Sequence, residues 1–204
     1  QGWLHNDAAH KLLATAGHDL DALREKARQP EFQAFELEGI RFDANLEVDI
    51  TTFDSQNVLG LILGSARPEE VIMASAHWDA YGIGAPDEQG RTVRAGANDD
   101  ALGSAGILEI ARVIKAAPAL ERSVLLAFWT AEEAGLVGSM AYAADPIFPI
   151  EKTVANFTLD ILQTAGAAND VILVGKGQSE LEDDLTRVTK AAGRYVTEEN
   201  LPEN

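Results

Sequence analysis

Residues 71–79 have the sequence Val-Ile-Met-Ala-Ser-Ala-His-Trp-Asp, an apolar run that ends in a histidine and an aspartate. The apolar part does not alternate with polar residues, which is typical of a central strand covered on both faces. Residues 123–129, Ser-Val-Leu-Leu-Ala-Phe-Trp, show the same pattern and are followed by Glu132 and Glu133. Both segments therefore predict buried strands that lead into ionisable side chains.

Strand and helix patterns alternate along the rest of the chain. Residues 103–117 place apolar side chains at helical spacing between the two buried strands, and residues 154–161 predict a third strand. This alternation predicts the α/β class, with a central mixed, largely parallel sheet flanked by helices. Residues 46–50 alternate between apolar and acidic side chains, which predicts one more half-buried strand.

The first forty residues differ in pattern from the remainder. They predict two short polar helices, whereas strand patterns begin at residue 45. We therefore predict an N-terminal helical segment over residues 1–44 and an α/β domain over residues 45–204.

Composition and charge exclude several kinds of partner and site. The 204 residues carry a formal net charge of -17, and such a surface repels nucleic acid and anionic membranes, so neither is expected as a partner. The chain has no cysteine, which excludes disulfides and thiolate metal sites. Apolar residues make up 46% of the chain, which is enough for a sizeable core.

Ionisable residues follow or end three of the predicted strands. They are His77, Asp79, Glu132, Glu133 and Asp160, and the pair Asp99 and Asp100 stands at the start of a predicted helix. Sites in open α/β sheets form outside the carboxyl ends of the strands. We therefore expect these side chains to meet at one edge of the sheet.

Each of these features has a simpler explanation when it stands alone. A histidine near an aspartate occurs by chance, an Asp-Asp pair can cap a helix, and adjacent glutamates can form a solvated helix start. Asp160 is different, because a charge within an apolar strand is unfavourable unless it is paired or bound to a metal. Zinc accepts both imidazole and carboxylate, so the combination predicts a metal-dependent hydrolase.

The order and spacing of the motifs resemble the co-catalytic zinc exopeptidases, a family that includes bacterial leucyl aminopeptidases, glutamate carboxypeptidase II and the glutaminyl cyclases. The matching motifs are His77-Trp78-Asp79, Gly96-Ala97-Asn98-Asp99, Glu132-Glu133-Ala134-Gly135-Leu136-Val137-Gly138-Ser139 and Leu159-Asp160-Ile161. The resemblance covers about residues 57–204, and the Glu-Glu motif is its most specific part. Two substitutions depart from the family pattern, Leu102 for a usual serine and Ile161 for a usual methionine.

The resemblance implies a set of four zinc ligands in this chain. Asp99 would bridge the two zinc ions of a complete enzyme. His77 and Asp160 would complete the first zinc site, and Glu133 would bind the second zinc.

The resemblance also implies two catalytic side chains. Glu132 would act as the general base, which takes a proton from water and passes it to the leaving amine. Asp79 would hydrogen-bond the other imidazole nitrogen of His77 and fix its tautomer. The peptide bond between Asp99 and Asp100 is often cis in this family.

One expected ligand has no counterpart in the chain. The family's last ligand is a histidine near the C-terminus, and no histidine follows His77 here. We therefore expect an internal fragment of a longer secreted or periplasmic protein, with the missing ligand beyond Asn204 and at most one zinc bound by the fragment. Residues 1–44 resemble the tail of a protease-associated insertion, and residues 45–204 a partial catalytic domain.

The function that the resemblance implies is removal of N-terminal residues from peptides by a zinc aminopeptidase. The same scaffold could act as a carboxypeptidase or a glutaminyl cyclase, because the motifs do not identify the substrate pocket, for which Trp78, Tyr81 and Trp129 are candidates. It could also be a binding module without activity. The four candidate ligands together with Glu132 favour a hydrolase.

Overall fold

The computed structural model describes residues 3–198. Residues 51–167 form one compact unit, and the described residues on either side of them belong to a second. No helix within the described part of the chain is long and apolar enough to cross a membrane. The division into residues 1–44 and 45–204 stays a prediction.

Strands and helices alternate over most of the described chain. In order, the strands are β1 (Val58–Ile62), β2 (Arg67–His77), β3 (Gly82–Ile83), β4 (Val93–Arg94), β5 (Arg122–Trp129), β6 (Thr153–Thr158), β7 (Asp170–Leu173) and β8 (Tyr195–Glu198). The helices are α1 (Asn6–Thr15), α2 (Leu20–Ala27), α3 (Leu102–Ala116), α4 (Val137–Ala144) and α5 (Leu181–Ala191). A π-helical turn (Ala97–Ala101) precedes α3, and a 3-10 helix (Ile150–Lys152) precedes β6.

A four-stranded sheet forms the centre of the 51–167 unit. Its spatial order is β1-β5-β2-β6, so β2 lies inside the sheet with a neighbour on each side. β2 runs parallel to β5 and to β6, whereas β1 is antiparallel to β5. This arrangement confirms the predicted mixed, largely parallel sheet, and it brings the ends of β2, β5 and β6 to one edge.

The central strands bury side chains on both faces of the sheet. Val71 and Leu125 pack on one face, and Ala74 and Ile107 pack on the other. Ile107 belongs to α3, and Tyr142 of α4 joins the first face. Because helices cover both faces, neither β2 nor β5 alternates between apolar and polar residues.

The second unit contains α1, α2, β7, α5 and β8. β7 and β8 pair in parallel, and α5 lies between them in the chain. In the N-terminal part, the Asp19 carboxylate accepts a hydrogen bond from the backbone N–H of Ala22 at 2.8 Å, so Asp19 caps α2. Aspartate is a favoured N-cap residue because its carboxylate accepts the unpaired N–H groups of the first helical turn.

Two predicted elements differ in the structure. Residues 46–50 form no strand, and Leu46, Val48 and Ile50 are exposed, because no described strand lies beside them to supply ladder hydrogen bonds. β6 ends at Thr158 rather than at residue 161. Asp160 therefore follows the strand instead of lying within it, and its side chain is 45% exposed.

Candidate metal site

His77 is the last residue of β2, and its side chain is only 2% exposed. The carboxylate of Asp100 accepts a hydrogen bond from the His77 backbone N–H at 3.1 Å. The hydroxyl of Ser104 donates a hydrogen bond to the His77 carbonyl at 2.9 Å. Asp100 also accepts from the Gly103 N–H at 2.9 Å, so the start of α3 anchors the backbone of His77.

Three carboxylates converge on the Nε2 atom of His77. An Asp99 oxygen lies 3.0 Å from Nε2, an Asp160 oxygen 3.8 Å and a Glu132 oxygen 3.9 Å. The peptide bond between Asp99 and Asp100 is cis. Residues from the ends of three parallel strands and from the turn before α3 therefore meet at a single imidazole nitrogen.

Among residues 3–198, two groups of three side chains could hold a metal ion. One comprises His77, Asp99 and Asp160, and the other comprises His77, Glu132 and Glu133. Within each group, one donor atom from every residue lies within 4.8 Å of the others. The four predicted ligands are thus brought together, and His77 is common to both groups.

The charges around His77 favour a cation. Burial lowers the pKa of His77, but the Asp99 hydrogen bond and the charge of Glu132 raise it above its ordinary value overall. Burial also raises the pKa of Glu132, and the nearby charge of Asp160 adds to that rise while the charge of His77 opposes it. Carboxylates crowded in this way repel one another, and a divalent cation would relieve the repulsion.

One carboxylate oxygen of the site is orphaned. Among residues 3–198, the buried Oε1 of Glu133 finds no hydrogen-bond donor. Buried polar atoms are almost always paired, so an unpaired carboxylate oxygen fits a metal ligand. The imidazole and carboxylate donors also match the ligand preferences of zinc. The residues present therefore fit a divalent metal.

The carboxylate of Asp79 holds the two glutamates more closely than it holds the imidazole. It accepts hydrogen bonds from the backbone N–H groups of Glu132 at 3.0 Å and of Glu133 at 3.2 Å. Its nearer oxygen lies 3.6 Å from Nδ1 of His77, whereas the Asp79 backbone carbonyl lies 3.2 Å from that nitrogen. A carbonyl only accepts, so Nδ1 carries the proton and Nε2 faces the carboxylates.

Glu132 and Glu133 lie on a tight loop, residues 130–138, which we call the glutamate loop. The Glu132 carbonyl accepts hydrogen bonds from the N–H groups of Gly135 and Leu136, both at 2.8 Å. Ala131 and Leu136 have positive φ values of 50° and 62°, so the chain reverses before α4. α4 therefore begins at Val137, and both glutamates precede it.

Two cavities flank the candidate site. The first, of about 460 Å³, has an apolar wall that includes Met73, Trp129 and Tyr142, with His77, Glu132 and Asp160 at its polar end. The second, of about 400 Å³, is lined by Trp78, Tyr81, Asp79 and Glu133 among others. Trp129 is mostly buried in the core, whereas Trp78 and Tyr81 are exposed.

Sequence reasoning missed the residues that hold the ligands in place. Asp100 was expected only as part of a helix start, and Ser104 carried no signal. Both act on the backbone of His77, which lies more than twenty residues earlier in the chain. Only the packing of α3 against β2 shows this contact.

Comparison with known proteins identifies the family. Residues 57–204 match the family model described as Peptidase family M28. The chain belongs to this family. The mouse (Mus musculus) aminopeptidase NAALADL1 is 31% identical over 170 residues, which cover 76% of this chain and 21% of the mouse protein. Human (Homo sapiens) carboxypeptidase Q is 31% identical over 133 residues, which cover 63% of this chain and 25% of the human protein.

A solved structure shows the same fold. The leucine aminopeptidase precursor from Bacteroides thetaiotaomicron superposes with a TM-score of 0.55 and 22% sequence identity, over 70% of this chain and 56% of the other. The matches to the two curated relatives span about a fifth and a quarter of their lengths. The expected relationship and fold class are therefore confirmed, and this chain corresponds to part of such a protein.

Proposed function

We propose that this chain carries the metal site of a zinc-dependent exopeptidase, and that the complete protein is an aminopeptidase. The convergence of Asp99, Asp160 and Glu132 on Nε2 of His77, all within 3.9 Å, is the observation that carries this proposal. Membership of a peptidase family supports peptides as the substrate class.

Four side chains would hold metal: His77, Asp99 and Asp160 form one donor group, and Glu133 stands beside His77 in the other. Zinc, when bound, lowers the pKa of water and polarises the carbonyl that is attacked. The proton on Nδ1 of His77 is held by the Asp79 carbonyl, which leaves Nε2 free to serve as a ligand. Because both donor groups share this one imidazole, we expect a single tight zinc site per chain.

Glu132 is the candidate general base. It lies beside the ligands, and burial raises the pKa of its carboxyl toward the range in which a base is effective near neutrality. The Asp79 carboxylate fixes the backbone at Glu132 and Glu133 together. Glu132 would take a proton from the attacking water and deliver it to the leaving amine.

The charge of the site favours the amino end of a peptide. A free carboxylate at the end of a peptide would need a cationic partner, and the side chains gathered at the site are acidic. No lysine or arginine of the described residues lines either cavity beside the site. The mouse relative that matches three quarters of the chain is also named an aminopeptidase.

Calorimetric titration of this chain with zinc tests the metal site. We expect one zinc per chain, with binding weakened at least about tenfold by Glu133→Ala and His77→Ala. His5→Ala, which removes an exposed histidine of the N-terminal segment, is the control and should bind as the wild type does. Two tight sites per chain, or unchanged binding by both site variants, would contradict the proposal.

Turnover by the complete protein tests the reaction. Glu132→Gln should retain zinc and lose at least about a hundredfold in kcat, because the amide cannot accept the proton. Aminoacyl anilides should be cleaved in preference to acyl-glutamate substrates. Preferred cleavage of acyl-glutamate substrates would indicate a carboxypeptidase. Binding of these substrates without any turnover would indicate a binding module.

A further inference from the structure

We infer that Asn57 is a positioning residue for the glutamate loop. Its side-chain amide ties the two ends of that loop together, and this tie sets where Glu132 and Glu133 lie. The inference rests on the proposed roles of those two glutamates. Asn57 itself would touch neither metal nor substrate.

The side chain of Asn57 makes one hydrogen bond to each end of the loop. Its Oδ1 accepts from the backbone N–H of Thr130 at 3.1 Å, and its Nδ2 donates to the carbonyl of Gly138 at 2.8 Å. An N–H can only donate and a carbonyl can only accept, so both contacts fix the same orientation of the amide. An aspartate at this position could serve Thr130 alone.

The position of Asn57 follows from the strand register. β1 is antiparallel to β5, with Val58 opposite Phe128, so the residue before β1 lies beside the residues that leave β5. The Ser55 hydroxyl extends this contact and lies 2.5 Å from the hydroxyl of Thr130. The segment before β1 therefore runs along the start of the glutamate loop.

The closed end of the loop leaves no spare room. The Gly138 N–H donates to the Thr130 carbonyl at 3.0 Å, next to the Asn57 amide. A Cβ atom at Gly138 would overlap the Thr130 carbonyl oxygen and Oδ1 of Asn57. The loop is thus closed by the Thr130–Gly138 backbone bond and the Asn57 amide, while Asp79 holds its centre.

Ser123, at the other end of β5, serves as a control for a purely structural role of Asn57. The hydroxyl of Ser123 accepts from the Gly64 N–H at 3.1 Å and donates to the Pro68 carbonyl at 2.7 Å. Like Asn57, it joins two backbone segments through one acceptor and one donor. It lies at the start of β5, at the opposite end of the strand from the glutamate loop.

The experiment compares Asn57→Ala, Asn57→Asp, Ser123→Ala and Glu133→Gln with the wild type in this chain. Zinc affinity is measured by calorimetry, and amide hydrogen exchange over residues 130–138 is measured without zinc. We expect Asn57→Ala to weaken zinc binding about tenfold and to speed exchange at Val137 and Gly138. Ser123→Ala should lower the melting temperature while zinc affinity and loop exchange stay at wild-type values.

The outcomes separate the inference from the proposed function. Glu133→Gln with wild-type zinc affinity would refute the proposed ligand, and loop exchange would then still decide the role of Asn57. The inference is overturned if Asn57→Ala binds zinc as the wild type does while Glu133→Gln binds it more weakly. It is also overturned if Asn57→Ala and Ser123→Ala change zinc affinity and loop exchange equally. If Asn57→Ala does not fold, the zinc affinity and loop exchange of Asn57→Asp test the inference, because this variant loses only the hydrogen bond to Gly138.

Discussion

Asp79→Asn separates two roles for this carboxylate. In the structure it accepts the N–H groups of Glu132 and Glu133, and the substituted amide can accept only one of them while its NH₂ group faces the other. Losing one hydrogen bond to a charged acceptor costs about 1.5–3 kcal/mol. We expect that decrease in the free energy of unfolding, measured in urea with a chelator, and zinc binding weakened by about 10–100-fold.

Asp87→Asn is the matched control for this prediction. In the turn between β3 and β4, one Asp87 oxygen accepts from the backbone N–H groups of Gln89 and Arg91 at 2.9 Å each. The other oxygen accepts from Nε of Arg91 at 2.7 Å, and this is the bond that the amide would lose. Asp87→Asn should change stability without changing zinc affinity. The reasoning is refuted if Asp79→Asn unfolds at the wild-type urea concentration and binds zinc as tightly as the wild type.

Two further predictions concern the core and the response to pH. Leu125→Ala removes a fully buried side chain of β5 and should reduce the free energy of unfolding by about 2–5 kcal/mol in urea titrations, whereas Leu61→Ala on the exposed part of β1 should cost clearly less. The raised pKa of His77 means that the folded, metal-free chain binds this proton more tightly than the unfolded chain does. Its contribution to stability is therefore complete below the ordinary pKa of 6.5 and is lost as pH rises through the folded pKa. Denaturation in chelator at pH values from 6.5 upward should show this decline, and His77→Ala should abolish it. Zinc affinity should rise with pH over the same range because the ligand must lose its proton.

The sequence predicted the central sheet because its strands are buried on both faces. The runs at 71–76 and 123–129 can be assigned as strands without knowing which strands pair with them. A short apolar stretch without alternation, between segments rich in turn residues, favours a buried strand. Residues 46–50 alternate equally well but form no strand. Alternating apolar and polar residues show that a strand would have two different faces. They do not show that a neighbouring strand is present to form the backbone hydrogen bonds of a sheet.

Asp160 reaches the candidate site for a different reason from the one that the sequence suggests. The sequence points to it because a charge inside an apolar strand would be unfavourable. The structure ends β6 at Thr158, and Leu159 closes the pairing with a hydrogen bond to the Ser75 carbonyl at 2.8 Å. Asp160 is then free to turn toward His77 from beyond the strand end, which is where sites in such sheets form.

The supporting contacts could not be predicted, because they depend on register. Asn57 reaches Thr130 and Gly138 only because β1 pairs with β5 in one particular alignment. A shift of one residue would send its side chain to the other face of the sheet. Motif spacing identifies the side chains that can carry chemistry, whereas the side chains that hold them in place are set by strand pairing.

Neighbouring acidic residues at this site have different hydrogen-bond partners. The backbone position of each residue determines which partners its carboxylate reaches. Asp99 points to Nε2 of His77, while Asp100 is buried and accepts the N–H groups of His77 and Gly103. Asp79 likewise faces backbone N–H groups rather than the center of the site. Amide hydrogen bonds favour the charged form of a carboxylate without a cation, although burial raises the pKa of Asp100 overall. Carboxylates gathered around Nε2 repel one another until a cation joins them. Asp79 therefore fixes the backbone of Glu132 and Glu133, and Asp100 fixes the backbone of His77, the residue that the remaining carboxylates surround.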